Sequence, residues 1–302
     1  MTTTRQLLRF GLVGTGYWAQ ITHAPALAST DGIELAAVWG RDPAAAGALA
    51  ARYGAVAHSD FEEFLAGVDA VAFSVPPDVQ AALAVRAAQA GKHLLLEKPI
   101  ALSAAAADAL AQSVQDAGVA SVVFFTARFQ ADVRAWLAEE MRADRWASGC
   151  AVWLGSSLLA SSPFNTPWRR DQGGLWDLGP HVVSLLWACL GPVVSVTAEA
   201  GRADVTHLVL HHQSAATSAV TLSQSAPEGA EFFELFVWGE PGRSAAPGPT
   251  DQPQTALRLA LTELAGNARA GRTEHPCDVQ FGREVVHVLA HAQGQLGAVT
   301  GP

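Results

Sequence analysis

The glycine pair in Gly14-Thr15-Gly16-Tyr17-Trp18-Ala19 limits what this chain can fold into more than any other feature. An apolar run over residues 7–13 precedes it, and a helical segment to about residue 28 follows. In a strand–loop–helix of this kind the first glycine permits a tight turn. The second lets the backbone approach a pyrophosphate, and the small third residue lets helix and strand pack closely. The helix N-terminus then faces the phosphates with free N–H groups and the positive end of its dipole. The pattern alone also occurs as an ordinary turn, but here a whole strand–helix–strand unit continues from it. Gly14, Thr15, Gly16, Tyr17 and Trp18 are therefore expected to hold a dinucleotide.

Strands and helices keep alternating beyond the loop. Apolar runs at 33–39, 70–75, 93–97 and 120–126 read as strands. Helices are expected at 42–53 and from a capping box at Ser59-Asp60-Phe61-Glu62. A third runs over 78–90, capped by Asp78 and ended by Gly91, and a fourth over 103–117, capped by Ser103. This alternation predicts a doubly wound parallel sheet. After Thr126 the pattern changes. A helix at 133–141 precedes runs at 150–156, 193–200, 207–211, 216–223 and 232–238 that read as antiparallel strands. The stretch 240–253, rich in Pro, Gly and Ser, reads as a surface loop, and helices at 255–270 and 279–295 close the chain. The fold class is thus α/β. Residues 1–122 form an N-terminal Rossmann domain. Residues 123–302 form a C-terminal α+β domain with an open, mostly antiparallel sheet, and the last helices can pack back on the first domain.

Composition narrows the partners. Half of the 302 residues are apolar and 16% are charged, which is enough for two cores and argues against disorder. A net charge of −9 argues against nucleic acid and against anionic membranes. Residues 1–6 lack the basic-then-apolar order of a secretion signal. The longest apolar stretch, 182–194, is broken by Ser184, Gly191 and Pro192 and is too short to span a bilayer. Cys150, Cys189 and Cys277 fit neither a disulfide framework nor a zinc site. His207, His211 and His212 lie on one strand without further converging ligands, so no metal is expected. A cytoplasmic protein is therefore expected.

The tip of the second strand bears on cofactor choice. An acidic residue there selects NAD, and an arginine nearby accommodates the 2′-phosphate of NADP. The sequence reads Trp39-Gly40-Arg41-Asp42: Gly40 leaves room, and Arg41 can meet the phosphate and stack on adenine. Asp42 can either bind ribose or cap the next helix, with Pro43 as its first residue. NADP is the preferred expectation and NAD the alternative.

Two segments carry groups suited to chemistry. Glu97-Lys98-Pro99 ends a strand at the edge where ligands bind in parallel sheets, and its Lys-Pro bond is a candidate for a cis peptide. By position alone Lys98 fits a surface loop equally well. In Gly173-Gly174-Leu175-Trp176-Asp177-Leu178-Gly179-Pro180-His181, Asp177 and His181 are four apart, as on one side of a helix start that Pro180 helps initiate. Histidine is the usual proton acceptor in alcohol oxidation. The same pair also fits a capping carboxylate and a core histidine.

Together these residues resemble the glucose-fructose oxidoreductase / inositol dehydrogenase / rhizopine catabolism (Gfo/Idh/MocA) family. The likeness runs through Phe10-Gly11-Leu12-Val13-Gly14, His23-Ala24-Pro25-Ala26-Leu27, Ala90-Gly91-Lys92-His93, Glu97-Lys98-Pro99, Arg128-Phe129, Trp168-Arg169 and the segment 173–181. The resemblance implies an NAD(P)-dependent oxidoreductase acting on CH–OH of a sugar, cyclitol or related polyol. It implies a catalytic trio of Lys98, Asp177 and His181. His181 is the general base, or the acid in reduction; Lys98 stabilises charge on the substrate oxygen; Asp177 orients substrate and histidine. Ser74, Pro76 and Glu97 are expected to line the nicotinamide-ribose site, and Arg128, Trp168 and Arg169 the pocket, with plain packing as the alternative for those three. The free face of the second sheet is implied to build a homodimer or homotetramer. A non-catalytic dinucleotide-binding regulator and an NAD-assisted lyase or glycosidase are the competing functions. The chain departs from the family at Gln80, which replaces a histidine, at Ser184, which replaces an aspartate, and in its short second half.

Overall fold

The computed structural model describes residues 7–141, 145–248 and 250–297. The polar segment 1–6 read above lies outside the described residues. Six strands pair side by side: β1 (Leu8–Val13), β2 (Ile33–Trp39), β3 (Val56–His58), β4 (Ala70–Phe73), β5 (His93–Glu97) and β6 (Ser121–Phe124). Every neighbouring pair is parallel, in the order β3-β2-β1-β4-β5-β6. Helices α1 (Ala24–Ser29), α2 (Pro43–Ala51), α3 (Phe61–Ala66), α4 (Pro77–Gln89) and α5 (Ala104–Ala117) connect them. All residues of β4 and β6 are buried, as expected of strands covered on both faces. The strand order reverses between β1 and β4, and that reversal opens a crevice at their carboxyl ends.

Local signals were read with small errors that have physical reasons. Asp42 caps α2, accepting from Ala44 N (2.9 Å) and Ala45 N (3.2 Å). Helix α3 is capped by Asp60, which accepts from Glu63 N at 2.9 Å, not by Ser59 one residue earlier. Asp78 lies inside the first turn of α4, because Pro77 already occupies the first helical position. Strand β3 had no signal, since its three residues carry no buried apolar run.

The second sheet contains β7 (Trp146–Leu154), β8 (Val193–Ala200), β9 (Thr206–His212), β10 (Thr217–Ser223), β11 (Phe232–Gly239) and β12 (Gly242–Ala245). Before β7 comes α6 (Ala131–Glu140); between β7 and β8 lie α7 (Pro167–Asp177) and α8 (Gly179–Leu190). The order is β12-β11-β7-β10-β9-β8. Strands β7 and β10 run parallel and the other pairs antiparallel. The parallel pair arises because the chain leaves β7 through two helices and returns through two hairpins to lie beside it. The stretch 240–253 is not all loop: a tight turn with Gly242 at φ 108° lets β12 pair with the edge of β11. Here backbone bonding along an existing edge decides the conformation, which composition does not show.

Side chains alternate cleanly on β9, with Leu208 and Leu210 buried and His207, Val209 and His211 exposed. Helix α8 covers the inner face. A side chain on Gly149 of β7 would stand 2.8 Å from Leu186 and 3.1 Å from Leu190.

Two helices follow, α9 (Pro253–Ala270) and α10 (Val279–Leu296). The chain divides into two compact units: residues up to Phe129 with Asp251–Arg283, and Gln130–Thr250 with Glu284 onward. The expected cut after residue 122 falls inside β6, and α9 is one of the last helices expected to pack back on the first domain. That helix buries Leu257, Leu261 and Leu264. It also bonds back to the first sheet's connections, Gln254 Nε2 donating to Ile21 O and Arg269 to Gly32 O.

Candidate functional site

In the first unit, the glycine loop emerges from β1 at the switch point. Gly14 has φ 122°, and a Cβ there would stand 2.3 Å from the carbonyl oxygen of Ser74, so the turn and the close approach to β4 both require glycine. Gly14 N donates to Trp39 O (2.9 Å) and Ser74 N to Val13 O (2.8 Å), which ties the loop to both neighbouring strands. Gly16 is different. It is exposed, and a Cβ there would meet no described atom within 4 Å. The protein's own packing does not explain that glycine, whereas a phosphate held close to the backbone does. Beside the loop, Ser74 Oγ is buried with no hydrogen-bond partner among the described residues. Both features fit a dinucleotide.

The helix after the loop contains a π-turn, Ala19–His23, before α1. Pro25 has no N–H to give to Ile21 O four residues back, and that carbonyl accepts from Gln254 instead. The turn aims Trp18 and His23 at one carboxylate. Trp18 Nε1 donates to Glu97 Oε1 (2.7 Å), and His23 Nε2 lies 2.8 Å from the same oxygen. Glu97, expected to line the nicotinamide-ribose site, thus joins the phosphate-loop helix to the end of β5.

Arg41 is exposed at the tip of β2. Gly40 does not simply leave room: a Cβ there would stand 2.8 Å from Thr15 Cγ2, so the loop's own threonine occupies the space.

Lys98 follows β5 and is half-buried, and its bond to Pro99 is cis. Lys98 N donates to Glu97 Oε2 at 3.3 Å. Gln80 holds this corner. It is fully buried on α4, donates through Nε2 to Glu97 O (2.8 Å) and Pro99 O (3.3 Å), and accepts from Glu97 N (2.8 Å). The residue that replaces the family's histidine therefore fixes the backbone on both sides of Lys98. Pro76 starts α4 in an extended conformation. Arg128, in a short helical turn, lies 5.8 Å over the ring of Phe281.

In the second unit, Asp177 and His181 do not share one continuous helix. Asp177 ends α7 and His181 lies in the first turn of α8, with Leu178 as the joint. Gly173 breaks α7 at φ 63°. Gly179 packs: a Cβ there would be 2.9 Å from Leu289. Both site residues are nearly buried, Asp177 at 4% and His181 at 7% exposure. Asp177 Oδ2 accepts from Arg169 Nε (2.8 Å) and from Gln224 Nε2 (2.5 Å). Arg169, expected in a substrate pocket, spends its charge on this pairing while lying 4.7 Å over the Trp168 ring. The His181 ring faces Trp153 of β7 at 5.6 Å, and Phe233 of β11 meets Trp153 edge-on at 4.8 Å. Ser184, in the family's aspartate position, donates to His181 O at 2.8 Å. The sequence had marked neither Gln224 nor Trp153. Gln224 follows a strand, β10, that already ends in a polar residue, so nothing in the sequence singled it out.

Among the described residues no group of three or more His, Cys, Asp or Glu is placed to hold a metal ion. No helix among them is long and apolar enough to cross a membrane.

A parallel sheet in this order, with a glycine loop at its switch point and a second unit carrying a mixed open sheet, defines a Rossmann-type dinucleotide-binding protein. Residues 8–125 match the family described as "Oxidoreductase family, NAD-binding Rossmann fold". Residues 149–244 match the "GFO/IDH/MocA C-terminal domain". The chain belongs to the Gfo/Idh/MocA oxidoreductase family. It is 30% identical to the inositol 2-dehydrogenase of Rhizobium meliloti (strain 1021) over 253 residues, 79% of this chain and 75% of that protein. An uncharacterized oxidoreductase of Rhizobium meliloti, ORF334, is 39% identical over 99 residues, covering 32% of this chain and only 30% of that relative's length. Among solved structures, GenD2 from gentamicin A biosynthesis, in complex with NAD, has the same fold. Its TM-score is 0.83 at 20% identity, with 98% of this chain and 96% of that chain covered.

Proposed function

We propose that this protein is an NAD(P)-dependent dehydrogenase or reductase acting on a CH–OH carbon of a sugar, cyclitol or related polyol. The Asp177–His181 junction carries the reading: a carboxylate tethered by Arg169 and Gln224, with an imidazole beside an aromatic wall at the start of the next helix. Gly14, Thr15, Gly16, Tyr17 and Trp18 would hold the dinucleotide, with Ser74, Pro76 and Glu97 near its nicotinamide end. When bound, the nicotinamide supplies hydride transfer. His181 takes the hydroxyl proton in oxidation and returns it in reduction. Lys98 donates a hydrogen bond to the substrate oxygen and favours its developing negative charge. Asp177 orients substrate and imidazole. Trp168 and Arg128 are proposed as pocket residues, and Arg169 acts through Asp177.

NADP is the preferred cofactor. Arg41 is exposed at the strand tip, and the Asp42 carboxylate is engaged in capping α2. The open face of the second sheet, with Val209 at 41%, Phe232 at 50% and Trp238 at 49% exposure, supports a homodimer or homotetramer. The small number of cysteines, with Cys189 and Cys277 buried, fits a cytoplasmic setting.

The test is turnover of aldoses, ketoses and inositols with NAD+ and NADP+, followed by absorbance. Lys98→Ala should abolish turnover while cofactor binding, read by fluorescence titration, persists. Surviving turnover in that variant would remove Lys98 from the chemistry. No exchange with either cofactor across the panel would sink the assignment.

A further inference from the structure

We propose that Gln224, together with Arg169, is a positioning residue that fixes the Asp177 carboxylate, and that the site needs a neutral hydrogen-bond donor at position 224. The kinetic side of this rests on the function proposed above; the structural side does not.

A buried carboxylate is tolerated only when its charge is paired and its lone pairs are bonded. Asp177 receives Arg169 Nε at 2.8 Å and Gln224 Nε2 at 2.5 Å, both on Oδ2. The two donors come from different places: Arg169 from α7, eight residues back, and Gln224 from the segment after β10. Arg169 is itself held, with its guanidinium over the Trp168 and Phe164 rings and Nη1 donating to Phe164 O at 3.4 Å.

Gln224 is 1% exposed, and its surroundings allow one amide orientation. The Asp177 carboxylate only accepts, and the Ser157 N–H, 3.4 Å from Gln224 Oε1, only donates. Swapping the amide ends would set oxygen against oxygen and N–H against N–H. Gly155 leaves space for the amide, since a Cβ there would stand 2.5 Å from Gln224 Oε1. The backbone is tied as firmly. Gln224 N donates to Asp204 Oδ2 at 2.6 Å, and Gln224 O accepts from Leu158 N at 2.9 Å. Asp204 in turn accepts from the hydroxyls of Ser223 and Ser225. Three chain segments thus converge on one glutamine whose free end reaches the carboxylate next to His181. A side chain that only filled space would need none of this polar matching.

Gln224→Glu tests the claim, because it keeps the shape and makes the donor conditional on pH. The introduced carboxyl can donate to Asp177 while protonated and repels it once ionised. Arg169, Asp204 and His181 lie around this corner in the parent as well, so the difference between variant and parent is the quantity read. With the substrate found in the panel, kcat/KM of the variant should approach the parent's near pH 5. It should fall about tenfold or more below it by pH 8, the size expected for losing a bond to a charged group, while cofactor binding stays unchanged. The loss in Tm relative to the parent should grow over the same pH range, and that growth should at least halve when Gln224→Glu is combined with Asp177→Asn, the remainder being the cost of burying the introduced carboxylate. A Tm offset that is constant with pH, or pH dependence that Asp177→Asn leaves undiminished, would overturn the proposal. If Gln224→Glu does not fold, Gln224→Met carries the test. Its Tm loss should at least halve in the Asp177→Asn background, and an equal loss in both backgrounds would overturn the claim. A parent that turns over nothing defeats the dehydrogenase reading alone, since the Tm arm still decides this one.

Discussion

Gly14 and Gly16 stand two residues apart and are glycine for different reasons. Gly14 is required by the protein itself: its φ is 122° and a Cβ would collide with Ser74 O. Gly16 has neither a positive φ nor a neighbour within reach of a Cβ. Gly16→Ala should therefore leave the unfolding midpoint nearly unchanged, with a stability change of about 1 kcal/mol or less. Its dinucleotide Kd should nevertheless weaken by tenfold or more, since the methyl would occupy the space a pyrophosphate needs. Gly14→Ala should lose several kcal/mol of stability, about 1–3 from backbone strain alone. Denaturant melts paired with cofactor titrations separate the two. Equal effects of both variants on stability would mean that Gly16 also serves the fold. The glycine motif was legible in the sequence because its spacing is tied to a strand and a helix. Gly40 was legible only as a glycine; that Thr15 fills its space depends on a contact between residues 25 apart. Gln80 and Gln224 were harder still, because a lone glutamine has no periodicity to betray it. Their roles come from which backbone groups converge on them.

At the level of elements, strands with a continuous or alternating run of apolar residues were readable. β3 was not, having no apolar run, and β12 was not, because its pairing is dictated by the exposed edge of β11. The parallel pairing of β7 with β10 was also hidden, since direction depends on what the chain does between them. The Asp177–His181 spacing was read as one helix face. In fact two helices meet at Leu178, so the same four-residue separation arises from a joint. Caps were nearly right, and one of them bears on the cofactor. Asp42 was open between binding ribose and capping α2; it accepts two backbone N–H groups of that helix. Asp42→Ala should lower stability by about 1 kcal/mol, the usual worth of an N-cap, and leave NADP affinity unaltered or slightly raised near Arg41. A selective loss of NAD affinity in this variant, measured by titration, would return Asp42 to the ribose.

For the whole molecule, three groups bear on acid stability, His93 in the first unit and His212 and Asp204 in the second. Burial pushes the His93 imidazole below its ordinary value against an upward pull from Asp69, and His93 Nδ1 accepts from Ala120 N at 3.0 Å, which only an unprotonated nitrogen can do. Burial likewise lowers His212, with the bond to Gly191 O acting upward and neighbouring His211 downward. In both cases the unfolded chain takes up its proton first, near pH 6.5, while the folded chain resists. Their contribution is therefore complete above that pH and is lost as pH falls through it toward the folded values. Asp204 behaves in the same direction at lower pH. Burial opposes its ionisation, but the bonds from Ser225, Gln224 N and Ser223 outweigh that and hold its carboxyl below the usual range. Its contribution is present above about pH 4 and disappears below. Chemical unfolding between pH 8 and 3 should accordingly show stability falling in two steps. His93→Gln should remove part of the upper step through the first unit and His212→Gln through the second, with neither touching the lower step, which Asp204→Asn should reduce. A single decline below pH 4, unchanged by either histidine replacement, would mean that both imidazoles titrate as they do in the unfolded chain.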